Sequence, residues 1–138
     1  KGRKICDGEE VCLLTIGHPG NFAVEACKEL RQDDIFPAHY DMRFVKPLDT
    51  SLLHEVFKKF RKIITVEDGV LQGGFGSAVL EFMSEHHYNA DVKRLGIPDK
   101  FIEHGTLKEL HHLCGFDADG IAEAVREMVK ERVAVKVK

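Results

Sequence analysis

No apolar run in this sequence approaches the roughly 20 residues that a membrane-spanning helix requires, so we expect no membrane partner. Basic residues are not in excess either. The net charge of −3 provides no electrostatic reason to expect nucleic acid as a partner. The four cysteines include no C-x-x-C pair, and nothing before the first predicted strand has the pattern of a secretory signal peptide. We therefore expect a reduced protein of the cytoplasm.

The sequence does contain the residue mixture of an ordinary globular domain, with 43% apolar and 31% charged residues in 138. A chain of this length can bury roughly 68% of the surface that its unfolded form exposes. It carries no internal repeat, low-complexity segment or linker, so we expect a single domain over residues 1–138, with a frayed or flexible tail over 131–138. The chain starts with Lys-Gly-Arg rather than Met, and we expect it to be a piece of a longer protein.

The stretch Lys62–Ser77 organises the rest of the chain. Its first residues form a β-branched run, which predicts a strand buried on both faces, and a glycine-rich loop separates this strand from a helical stripe. A strand, a loop at its carboxyl end and a helix make half a βαβ unit. Similar apolar runs elsewhere predict the other strands. We expect strands near residues 3–6, 10–16, 38–44, 62–66 and 91–95.

Helical stripes of apolar residues alternate with these strands. Asn21, Asp49 and Asp117 are suitable N-caps for the helices that follow them, and Thr106 with Glu109 forms a capping box. Because strands and helices alternate from residue 10 onward, we expect an α/β fold of three layers, α/β/α, whose second to fifth strands are mutually parallel.

Three stretches of the sequence resemble a known family. They are DMRFVKPLD over residues 41–49, TVEDG over 65–69 with GGFGS over 73–77, and LGIPDKFIEHG over 95–105. They are similar to the C-terminal domain of the 1-deoxy-D-xylulose-5-phosphate synthase family, and the similarity covers about residues 8–129. The second stretch is shared with the C-terminal domains of transketolases and with the β subunits of 2-oxoacid dehydrogenases. The first and third stretches look particular to the synthase branch.

The resemblance implies a transketolase C-terminal-domain-like fold: a five-stranded mixed sheet in the order 1-3-2-4-5, with the first strand antiparallel. It places a crevice between strands two and four, lined by residues 17–21 and 67–77. The members of this family are homodimers that condense pyruvate with glyceraldehyde 3-phosphate, with loss of CO2, using thiamine diphosphate and a divalent metal such as magnesium. That reaction is the entry step of non-mevalonate isoprenoid synthesis and also feeds thiamine synthesis.

The resemblance assigns the thiamine diphosphate site to two preceding domains. The G-D-G metal motif of the family does not occur in this sequence. We therefore assign no catalytic, cofactor-binding or metal-binding residue, and we expect this chain alone to be inactive and to bind neither cofactor nor metal. The expected partners are the preceding domains and, in the full-length protein, a second copy. Candidate interface or crevice residues are His18, Asn21, Glu67, Asp68, Gly73, Gly74, Gly76, Ser77 and His104.

Some of these residues also permit a second interpretation. Successive backbone N–H groups at residues 73–76 could cradle a phosphate, but the loop lacks the Lys-Ser/Thr end of a P-loop, so we favour tight packing or close approach of another domain. Glu67 and Asp68 are adjacent on an extended chain and point to opposite faces, which favours a contact role over a shared proton.

The histidines do not have metal-site spacing. His86-His87 and His111-His112 are sequence neighbours rather than an i, i+4 pair, which disfavours zinc, and we expect His104 to make a structural hydrogen bond. Two alternatives to the domain interpretation stay open. One is a free-standing α/β anion-binding or regulatory module, and the other is one subunit of a split transketolase-like enzyme.

Overall fold

The computed structural model describes residues 2–43, 47–67, 74–96 and 117–137, with side chains described up to Lys130. The elements are β1 (Arg3–Cys6), β2 (Val11–Thr15), α1 (Pro19–Arg31), β3 (Ala38–Asp41), α2 (Thr50–Lys59), β4 (Lys62–Val66), α3 (Phe75–Glu85), β5 (Asp91–Leu95) and α4 (Ala118–Val137). Each predicted strand is present at its expected place. The predicted capping box at residues 106–109 lies outside the described residues.

The five strands form one sheet in the order β1-β3-β2-β4-β5. β1 is antiparallel to β3, whereas β2 is parallel to β3 and β4, and β4 is parallel to β5. In the central register Leu13 lies opposite both His39 and Ile64. These observations confirm the expected mixed sheet, in which only the first strand runs against the others.

The two faces of the sheet are covered by different helix pairs. Val11 and Leu13 share a buried cluster with residues of α1 and α4, and Cys12 and Leu14 share another with residues of α2 and α3. Successive side chains of a strand point to opposite faces, so a run of consecutive apolar residues supplies both layers. All five residues of β2 are buried, as expected for the central strand of an α/β/α fold.

The starts of the helices confirm two of the predicted caps and contradict a third. The Asp49 carboxylate accepts the Leu52 N–H at 3.1 Å, and the Asp117 carboxylate accepts the Gly120 N–H at 2.9 Å. Asn21 is not an N-cap, because α1 begins earlier, at Pro19. Proline suits a first helical position, since its φ is already helical and its missing N–H would have no partner there.

The last helix, α4, covers 20 residues. Its backbone is helical as far as Val137, and the frayed or flexible tail over 131–138 stays a prediction. Cys12 and Cys27 are buried free thiols, and Cys6 is partly exposed. Among the helices of the described segments, none combines the length and apolar composition needed to cross a bilayer.

Candidate functional site

The expected crevice lies where β2 and β4 end side by side. Past the last residue of β2, the Ile16 N–H donates to the Val66 carbonyl oxygen at 3.2 Å, and the Glu67 N–H donates to the Leu95 carbonyl oxygen at 3.1 Å. Backbone hydrogen bonds therefore continue one residue beyond β2 and β4 and hold the carboxyl ends of β2, β4 and β5 side by side. Gly17, with a φ of 74°, then turns the chain toward α1, a conformation that glycine adopts without steric cost.

Glu67 closes the start of α3. One carboxylate oxygen accepts the Phe75 N–H at 2.9 Å and the other accepts the Gly76 N–H at 3.1 Å. The N-cap position of this helix is Gly74, which has no side chain to satisfy these donors. The negative charge of this carboxylate also interacts favourably with the positive end of the helix dipole. Glu67 thus occupies the place at this helix end that a bound anion would take.

Gly76 permits a close approach between α3 and the sheet. A Cβ atom at this position would lie 2.8 Å from Arg94 Cδ and 3.1 Å from Thr65 Oγ1. Next to it, the Ser77 hydroxyl accepts a hydrogen bond from the Arg94 guanidinium at 3.3 Å. The glycine at this helix start therefore allows tight helix–sheet packing, which is the interpretation that the sequence analysis favoured.

Two further predicted residues lie at the start of α1. His18 is the exposed N-cap of α1, and its ring packs edge-on against Phe22 at 5.4 Å between centroids. Asn21 is exposed in the first turn of the same helix. Asp68, Gly73 and His104 lie outside the described residues. The structure thus brings Glu67, Gly76 and Ser77 to one helix start, and places His18 and Asn21 at the neighbouring one.

Two interacting side chains below the crevice were not anticipated. His39 of β3 is buried, and its Nε2 lies 2.8 Å from the Thr15 hydroxyl on β2. Burial lowers the pKa of His39 to about 4, although the nearby Asp41 carboxylate acts in the opposite direction. The imidazole is therefore neutral near pH 7, and it joins two parallel strands.

His86 belongs to a second cluster of side chains, with His54 and Tyr88. Its ring centroid lies 4.6 Å from that of His54, and His54 Nδ1 lies 2.6 Å from the Tyr88 hydroxyl. Burial, and then the neighbouring His86 and Lys58, lower the pKa of His54. The described residues contain no group of three or more side chains placed to hold a metal ion. His111 and His112 lie outside the described residues.

The described crevice does not fit the metal–diphosphate group that the family resemblance implies. Magnesium prefers six oxygen ligands in near-octahedral geometry. The carboxylate at the end of β4 is Glu67, and both of its oxygens already accept backbone N–H groups of α3. A carboxylate engaged in this way serves as a structural cap, and it is poorly available as a metal ligand or general base.

Fold and site together define an α/β domain with a crevice at the carboxyl ends of its parallel strands. The Glu67 carboxylate of the same chain caps the start of α3 at this crevice. The family model described as "Transketolase, C-terminal domain" matches residues 1–121. The chain therefore belongs to the transketolase C-terminal domain family.

Curated relatives of the chain include full-length synthases. The chain is 61% identical over 128 residues, 93% of its length, to the 1-deoxy-D-xylulose-5-phosphate synthase of Cytophaga hutchinsonii. It is 50% identical over 127 residues, 92% of its length, to the synthase of Parabacteroides distasonis. In both comparisons the chain spans only 20% of the relative. It therefore matches a domain-sized fraction of these curated relatives.

Solved structures share the fold. The chain superposes on a protein described as a split gene transketolase, an inactive beta4 tetramer, with a TM-score of 0.83 and 32% identity, over 94% of this chain and 42% of that one. A transketolase mutant from Pichia stipitis matches with a TM-score of 0.63 and 17% identity, over 96% of this chain and 18% of that one. The second similarity shows the fold alone.

Proposed function

We propose that this chain is the C-terminal domain of a 1-deoxy-D-xylulose-5-phosphate synthase and that its role is to complete the assembly of the enzyme. The observation that carries this proposal is the 61% identity over 93% of the chain to a synthase of which the chain spans only 20%. The full-length enzyme would be a cytoplasmic homodimer. It would condense pyruvate with glyceraldehyde 3-phosphate, with loss of CO2, using thiamine diphosphate and magnesium, at the entry to isoprenoid synthesis.

The capping of α3 by Glu67 at the crevice supports an assembly role. Decarboxylation through thiamine diphosphate needs the reactive carbon of the cofactor to be held against the substrate in a preorganised site. In the crevice, the Glu67 carboxylate instead accepts hydrogen bonds from the backbone N–H groups of Phe75 and Gly76. The cofactor site would lie in the preceding domains, and exposed residues at the crevice rim, such as His18, Asn21 and Ser77, would face a neighbouring domain.

A binding and activity experiment tests whether the cofactor site lies outside this chain. Isothermal titration of the purified chain with thiamine diphosphate and magnesium should give no saturable heat, and the chain should consume no pyruvate above background. The full-length synthase of Cytophaga hutchinsonii serves as the positive control for both measurements. Saturable binding at micromolar cofactor, or turnover by the chain alone, would contradict our placement of the active site.

A complementation experiment tests the assembly role directly. The preceding domains of the full-length protein are expressed without this domain, and the purified chain is then added. We expect the truncated enzyme to be inactive or unstable and the added chain to restore activity. Full activity of the truncated enzyme on its own would contradict an assembly role.

The similarity to the split gene transketolase favours a second candidate, in which this chain is one subunit of a split enzyme. In that case the metal motif would be encoded by a separate reading frame. The full-length coding sequence distinguishes the two candidates. A G-D-G motif upstream in the same polypeptide supports a domain, and its absence there supports a subunit.

The remaining alternative, an anion-binding module, predicts a phosphate at the start of α3. The Glu67 carboxylate opposes it, because a phosphate at the Phe75 and Gly76 N–H groups would displace and repel that side chain. Titration with inorganic phosphate, followed by the amide signals of Phe75 and Gly76 in NMR spectra, tests this alternative. Saturable shifts at millimolar phosphate would support the module.

A further inference from the structure

Two histidines that are far apart in the sequence meet where α2 and α3 cover the same face of the sheet. His54 lies on α2, and His86 is the C-cap residue of α3. Their ring centroids are 4.6 Å apart, and their ring planes cross at 75°. The ring of Phe82 contacts both, with its centroid 4.8 Å from that of His54 and 4.3 Å from that of His86. The fold therefore places two imidazoles side by side against one aromatic ring.

The separation of these two rings suits a shared metal ion. Imidazole nitrogen is a preferred ligand of zinc, copper and nickel. With zinc–nitrogen bonds of about 2.0–2.1 Å and tetrahedral or right-angled bonding at the metal, the centroids of two bound imidazoles lie roughly 4.5–5.3 Å apart. The observed distance of 4.6 Å falls within this range. His54 and His86 therefore need no change of separation to bind one ion.

The hydrogen bond of His54 leaves one ring nitrogen for a metal. Its Nδ1 lies 2.6 Å from the Tyr88 hydroxyl oxygen. When Nδ1 carries the ring proton and donates it to this oxygen, Nε2 has the lone pair that a metal ion binds. Metal-bound histidines commonly donate their second ring N–H in this way, which fixes the tautomer and the orientation of the ring. Tyr88 therefore holds His54 as an outer partner of a metal site would.

His86 completes the pair from the solvent side. It is exposed, and within the described part of the chain no hydrogen bond occupies its ring nitrogens. Its ring is therefore free to turn either nitrogen toward His54. Lys58, one turn further along α2, carries a charge that opposes a bound cation, but this side chain is exposed and solvent screens it. Water reaches the pair from outside and can fill the other coordination positions.

We propose that His54 and His86 form a binding site for one divalent transition-metal ion of the zinc and copper class. The ion bonds to Nε2 of His54 and to one ring nitrogen of His86, and water occupies its remaining coordination positions. Magnesium, the ion that the family resemblance implies, prefers oxygen ligands and should not bind here. Because the folded chain alone brings the two ligands together, a bound ion stabilises the packing of α2 against the end of α3.

The test titrates the full 138-residue chain with zinc chloride at about pH 7.5, above the ordinary imidazole pKa of about 6.5, and follows the histidine ring signals by NMR. We expect the signals of His54 and His86 to shift together and to saturate at one zinc ion per chain. Magnesium chloride should shift neither. Zinc that leaves both sets of signals unchanged, or that shifts one of them alone, would overturn the proposal.

Matched variants assign the ligands. His54→Gln and His86→Gln should each weaken zinc binding at least about tenfold, since each removes one of two ligands, and Tyr88→Phe should weaken it roughly tenfold by releasing the ring of His54. His87→Asn is the control. His87 is the exposed neighbour of His86, and asparagine tolerates its left-handed φ of 58°, so this variant should bind zinc like the wild type. Circular dichroism checks that each variant is folded. Wild-type affinity in folded His54→Gln or His86→Gln, or a tenfold loss in His87→Asn, would overturn the assignment.

Discussion

Replacing Glu67 with alanine tests the most specific feature of the crevice. This partly buried side chain extends from the end of β4 and accepts two N–H groups at the start of α3, at 2.9 and 3.1 Å. The variant leaves both donors without their partner, and Gly74 at the N-cap has no side chain to replace it. The helix would then begin with unsatisfied N–H groups facing the β4 strand end.

The expected cost follows from these contacts. Loss of an N-capping side chain costs about 0.5–2 kcal/mol, and loss of a negative charge at a helix start costs roughly 0.3–1 kcal/mol more. For Glu67→Ala we therefore expect the free energy of unfolding to fall by about 2 kcal/mol. Glu67→Gln keeps one acceptor oxygen but loses the charge, so it should cost about 1 kcal/mol.

Urea denaturation followed by far-UV circular dichroism measures both changes. Glu81→Ala is the matched control, because Glu81 is exposed on the same helix and should change the stability by at most about 0.5 kcal/mol. If Glu67→Ala and Glu81→Ala have the same effect, the carboxylate does not hold the helix start. An order of stability in which the Gln variant falls below the Ala variant would also refute the capping argument.

Two further predictions concern the core. Phe57 is 6% exposed and stacks on Tyr88 at 5.2 Å between ring centroids, so Phe57→Ala should cost roughly 3–5 kcal/mol in urea melts, and a cost below about 1 kcal/mol would contradict its core position. Burial lowers the pKa of His39 to about 4, from an ordinary 6.5. The unfolded chain therefore takes up this proton at a higher pH than the folded chain. The contribution of the neutral His39 to the free energy of unfolding is complete above about pH 6.5 and is lost as the pH falls toward 4, by at most about 3.4 kcal/mol. Urea melts at both ends of this range test the prediction, and His39→Gln should remove most of the difference; an equal loss in that variant would assign it to other groups.

Local sequence patterns were sufficient to locate most of the fold. The β-branched run at Lys62–Val66 is a strand because such residues pack well on a pleated surface, and its continuous apolar character places it inside the sheet. Asp49 caps α2, since a short carboxylate reaches an N–H group three residues ahead of it. The prediction of a cap at Asn21 was wrong because the helix starts at Pro19 and its N-cap is His18, three residues earlier. The order of the strands, in contrast, was expected from the family resemblance.

The contacts that build the crevice join residues that belong to different elements of the fold. Glu67 reaches Phe75 across the strand–helix connection, and His39 of β3 reaches Thr15 on the neighbouring strand β2. A periodic pattern reports which face of an element is buried, but not which side chain of another element lies against it. Strand order and helix placement decide those partners, and so only the tertiary structure reveals that Glu67 is a helix cap and that His39 joins two strands.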